Sequence, residues 1–151
     1  MGFFDKLKDG FNSGRAELTK QVGRFKNKTF LEGTVAICAR IAVSSDGVSA
    51  EEKQKMIGFL RNSPELSVFD TEEVIQIFEK LVRAYDFDFE VGKGESMKHI
   101  LAMKNKPEQA QLAVRVGIAV AKSDGNFDDQ EKATTREIIA ALGFQDQEFG
   151  L

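Results

Sequence analysis

Two carboxylate pairs carry the chemistry this sequence has to offer. Asp46 is followed six residues later by Glu52, and Asp124 is followed seven residues later by Glu131. Each Asp stands directly before a glycine, Gly47 or Gly125. Each Glu lies three residues beyond a helix-capping residue, Ser49 or Asp128. Oxygen-only ligands of this kind suit hard cations such as Ca²⁺ or Mg²⁺. The expectation is therefore that Asp46, Glu52, Asp124 and Glu131 converge on one acidic face and bind a divalent cation weakly. Glu51 adds acidity to the first pair, and Asp128 and Asp129 add it to the second. The loops are too short and too poor in acids to be EF-hands, which draw ligands from alternating positions of a twelve-residue loop. A competing reading needs no ligand, because Glu three residues after a cap and Asp before Gly are both ordinary punctuation. Repulsion argues the other way: carboxylates gathered at one mouth disfavour each other's ionised forms unless a positive charge compensates.

Other chemistries lack their residues. One histidine, His99, cannot build a multi-histidine metal centre. The one cysteine, Cys38, sits among Ala and Ile in an apolar stretch and reads as a buried, inert thiol. It also excludes an internal disulfide framework and fits a reducing compartment. No glycine follows a strand in the manner of a phosphate loop. Nothing resembles a nucleophile with its base, so the chain reads as no enzyme; a metal-dependent hydrolase built on the carboxylates is the weakest alternative.

Charge is divided unevenly. The first 30 residues hold seven Lys or Arg against three acids, a net +4, and the remainder carries −7 of the overall −3. Phe3, Phe4, Leu7 and Phe11 recur along this basic stretch in the manner of an interfacial helix, a contact for a membrane or a partner. Residues 1–28 thus read as a basic amphipathic arm that docks loosely on the body or on an anionic bilayer; the competing reading is that its apolar side chains simply complete the bundle. With the arm on a bilayer, the alternative is that the protein is a peripheral membrane scaffold and the acids are merely structural. No apolar run reaches the roughly 18 residues a bilayer span needs, and no secretory signal is visible, so a soluble, cytoplasmic chain is expected, peripheral at most to the inner membrane. No nucleic-acid partner is expected.

The elements that must hold the carboxylates are helical. Residues 34–43 and 110–122 are apolar nearly all round except for Arg40 and Arg115, as central helices of a bundle are. Both run into Ser-Asp-Gly, at Ser45 and Ser123. Further caps at Ser49, Asp70 and Asp128, and Pro107 at a first helical position, open the remaining helices. The stretch 88–103 still reads helical through Met97, Ile100 and Leu101, although Gly92 and Gly94 weaken it. The fold class is all-α: a compact bundle of about seven to eight helices. An internal pseudo-twofold repeat of helix, Asp-Gly loop and helix spans about 30–66 and 108–145. Val35, Ile37, Ile41, Leu60, Phe78, Leu81, Val114, Ile118 and Ile139 are its expected core.

Taken together, the paired Asp-Gly…Glu units, the opening Met1-Gly2-Phe3-Phe4-Asp5-Lys6-Leu7-Lys8 and the closing Ala141-Leu142-Gly143-Phe144 resemble the TerB family, small proteins of bacterial tellurite-resistance clusters. The resemblance covers essentially the whole chain, with residues 29–151 as the TerB-like domain. Ser45 and Ser123 stand where the family usually has Ala. The resemblance implies a role in tellurite resistance and stress response and a shared negatively charged, cation-binding surface. It also implies an integral membrane partner of the TerC type, soluble partners of the TerD type and a membrane-associated complex.

Overall fold

The computed structural model describes residues 16–43, 49–123 and 127–151. Among them are seven α-helices and no strand: α1 (16–24), α2 (Lys28–Ala42), α3 (Ala50–Arg61), α4 (Thr71–Phe87), α5 (Phe89–Leu101), α6 (Pro107–Lys122) and α7 (Asp129–Ala141). Two short 3₁₀ turns, Pro64–Leu66 and Asp146–Phe149, follow α3 and α7. The all-α bundle read from the sequence is the fold.

Local chemistry sets the boundaries. The Asn27 carboxamide oxygen accepts from the Phe30 amide at 2.9 Å and starts α2. Ser49 Oγ accepts from the Glu52 amide at 3.1 Å and starts α3. Asp70 and Asp88 cap α4 and α5 in the same way. These caps satisfy amides that have no partner inside their own helix. Pro107 occupies the first turn of α6, where its missing N–H costs nothing. Gly143, with φ of 84°, takes the left-handed conformation that closes α7. The uncertain stretch 88–103 is helix α5, and its glycine has a packing reason. A Cβ on Gly92 would collide with both the ring and the backbone of Tyr85, so Gly92 lets α4 and α5 close up.

The core is laid around α2. It packs on α6 and α5 most extensively, and also on α4 and α7. Gly117 of α6 faces Ile37 of α2 so closely that an added Cβ would strike the Ile37 Cγ2 methyl. All nine expected core residues are buried. Arg115, the one charge on α6's inner stretch, points to solvent.

Arg40 does not. It is 4% exposed, and its Nη2 donates to Glu137 Oε2 at 2.8 Å, with Lys93 Nζ 3.5 Å from the other oxygen of the same carboxylate. One acid on α7 thereby ties down cations from α2 and α5. A buried guanidinium is tolerated only with such a partner.

Of the two readings of the arm, the part that is described follows the one in which it joins the bundle. Val22 of α1 is completely buried within the core, with Leu18 and Phe25 packed against it. The Asn27 carboxamide donates to Gln109 Oε1 at 3.2 Å, fastening the end of this stretch to the start of α6. The apolar residues at helical spacing in this half complete the bundle, because an exposed Val, Leu and Phe would each forfeit their burial free energy. Phe3, Phe4, Leu7 and Phe11 lie outside the described residues.

Candidate functional site

The end of the bundle where α2 and α6 stop and α3 and α7 begin holds a cavity of about 290 Å³. Glu52 from the first turn of α3 reaches its lip, as do Asp128 and Glu131 from the start of α7. The geometry therefore brings one acid of the first helix–loop–helix unit together with two of the second. Asp46 and Asp124, the other half of the expected constellation, lie outside the described residues. Glu51 and Asp129 are exposed in the first turns of α3 and α7 and do not line the cavity.

The two glutamates differ in how they are held. Asp128 Oδ1 accepts from the Glu131 amide at 2.8 Å, and Glu131 Oε1 accepts from the Asp128 amide at 3.4 Å, a complete capping box. Glu131 is thus committed to the start of α7. Glu52 contributes only its amide to a cap, and its carboxylate has no hydrogen-bond or ion-pair partner among the described residues. The capping reading thus accounts for the side chains of Asp128 and Glu131 but not for that of Glu52.

Among the described residues no group of three or more His, Cys, Asp and Glu side chains is close enough to hold a metal ion. The donor chemistry of the lip, carboxylates alone, is nonetheless that of a hard-cation site. Below the lip the lining is apolar: Met56 and Phe59 are half-buried there, and Ile41, Val43, Phe78 and Val120 lie buried behind them. Lys55 stands on the rim. Sequence reasoning missed this floor. The signal was available in α3, where Glu52, Lys55, Met56 and Phe59 fall at helical spacing on one side.

The excluded groups are placed as expected. Cys38 is buried, and burial first, with the nearby Glu65 carboxylate second, pushes its thiol pKa up to about 12. Such a thiol is neither a nucleophile nor a metal ligand at neutral pH. Glu65 itself is fully buried and accepts from Ser63 Oγ at 2.7 Å; nothing in the sequence marked it. His99 lies 3.5 Å from Glu32 Oε2, away from the acidic lip, in a separate groove of about 880 Å³ between α2, α4 and α5. No described helix is long and apolar enough to cross a membrane.

No solved structure matches the chain. A curated relative, the tellurium resistance protein TerB of an Alcaligenes species, is 71% identical over 118 residues, which make up 78% of this chain and 97% of that one. The family model for tellurite resistance protein TerB matches residues 31–151, a span that begins within α2 and takes in the whole acidic cavity. The chain belongs to the TerB family of tellurite-resistance proteins.

Proposed function

We propose that this tellurite-resistance protein works without catalysing a reaction, as an acidic, cation-binding docking module in a membrane-associated complex. The observation that carries the proposal is the approach of Glu52, Asp128 and Glu131 to one cavity lip from two helices far apart in sequence. Three carboxylates against one lysine leave that lip negative, and a compensating positive charge lowers the cost of holding them together. Ca²⁺ or Mg²⁺ is the ion whose preference for oxygen ligands this donor set meets. Asp46 and Asp124, adjoining in sequence the ends of α2 and α6 that form the cavity, would supply the remaining oxygens. The partners in this reading are those the family resemblance implies, a TerC-type membrane protein and TerD-type soluble proteins, met at the inner membrane surface.

An amide-shift titration of the full chain with Ca²⁺, Mg²⁺ and Zn²⁺ tests the reading. Residues 44–48 and 124–126 should move together, with Glu52 and Glu131, along one saturable curve. Movement of one loop alone, or linear drift without saturation, would dismiss the shared site.

A further inference from the structure

Deepening the same site, and resting on the acidic lip as a place where cations bind, the inference concerns what fills the cavity beneath it. A bare metal ion uses only the lip. Below it stand the half-buried Met56 and Phe59, which offer a hydrated ion nothing and favour the removal of apolar surface from water. A negative rim over an apolar hole matches a side chain that is itself apolar along its stem and positive at its tip. Lysine and arginine have that form, and they bury their methylenes while keeping the charged head among polar groups.

The surroundings extend the match. Among the described helices α3 packs chiefly on α4, and another side of it borders both cavities. Along that side a second cavity of about 450 Å³ runs from Lys55 and Phe59 to Ser63, Pro64 and Ser123, sharing its first two residues with the acidic one. The combined trench has room for the residues that flank a bound side chain. The occupant is more economically an outside protein than this chain's own basic arm. The matched relative consists almost wholly of the 118 aligned residues and is about 30 residues shorter than this chain. It therefore has little room for a comparable arm beside its domain.

We infer that the acid-lipped cavity receives a lysine or arginine side chain of a partner protein, its alkyl stem against Met56 and Phe59 and its cation at Glu52, Asp128 and Glu131.

The test uses n-butylguanidinium as the probe, with guanidinium as its tail-less control, added to the full chain at fixed ionic strength. The Met56 methyl and Phe59 ring resonances should shift saturably, and the butyl probe should bind about tenfold tighter or more than guanidinium, because each buried methylene adds to the affinity. Phe59→Ser should abolish that chain-length dependence, and Met56→Gln serves if Phe59→Ser impairs folding. Glu52→Gln should weaken both probes alike. Equal affinity for the two probes, or Met56 and Phe59 resonances that do not respond, would overturn the inference. So would a cavity already filled without probe, seen as contacts from Phe3 or Phe4 or as shifts that grow with protein concentration. A parallel Ca²⁺ titration reports on the metal reading alone: a silent Ca²⁺ titration beside a chain-length effect leaves the side-chain site standing, and the reverse removes only the side-chain site.

Discussion

The α2–α6 contact and the cavity beside α3 are made by the same helices, yet one is closed and the other open. In the first, Gly117 lets α6 approach Ile37 until no space for a methyl remains. Near the ends of the same two helices, a cavity beside α3 is edged by Glu52, Asp128 and Glu131. Close packing rewards the folded state through dispersion and excluded water. A cavity edged by several carboxylates does the opposite unless a compensating charge enters it. Stability and binding are thus separated along one helix pair, and substitutions should separate them too.

The largest effect belongs to the closed side. Ile37→Ala should cost about 2–5 kcal/mol in urea unfolding, the range for truncating a fully buried aliphatic residue. Cation affinity per folded molecule should hardly change. A smaller loss, about 1–2 kcal/mol, is expected of Glu137→Gln. It removes the charged partner of buried Arg40, but Glu137 is 57% exposed, so solvent softens the loss. Should Glu137→Gln instead unfold the chain, the Arg40 pair would prove as central as the α2–α6 seam.

The acidic end separates charge from shape. Asp128→Ala should cost about 1 kcal/mol by deleting the α7 cap and should weaken cation binding, whereas Asp128→Asn should keep most of the stability and lose binding. Glu52→Gln should change stability by no more than about 0.5 kcal/mol, since its carboxylate has no partner among the described residues, and should still impair binding. A cation affinity unchanged by Glu52→Gln would reduce the acidic lip to capping.

Cys38 gives a pH-dependent check on the closed side. Its native pKa of about 12 lies above the 9.0 of a free thiol, so the folded chain holds the proton more tightly. The associated stability is complete below about pH 9 and is lost as pH rises from there toward 12. Alkylation by iodoacetamide at pH 8 should therefore be negligible in the native protein and rapid in urea. Prompt native labelling would show the α2 core to be open.

Much of this was legible in the sequence because the central helices are apolar all round and several caps are spelled out in Ser, Asp and Pro. Helical periodicity names the buried face directly, and all nine core residues follow from it. Long-range choices were not legible. Arg40 read as an outlier on an apolar helix, since its partner Glu137 lies 97 residues away. Val22 read as part of a surface arm, because an amphipathic helix looks the same whether its apolar face meets a bilayer or a core. Glu52 and Glu131 were marked by spacing, but Met56, Phe59 and Phe78 became a cavity floor only once α3 was seen to lean on α4. The glycines that weakened the case for α5 carry the α4–α5 contact at Gly92, a role that depends on Tyr85 and on no local pattern.

The central claim is that the two helix–loop–helix units share one acidic site, and calorimetric titration with Ca²⁺ and Mg²⁺ of Asp46→Asn, Asp124→Asn and the double variant tests it most directly. Asp→Asn keeps the shape of the side chain and its turn hydrogen bonds, so folding should survive. The account predicts that each single variant loses most of the binding and that the double variant is little worse than either. Two single variants that each bind as tightly as the unaltered chain would contradict it.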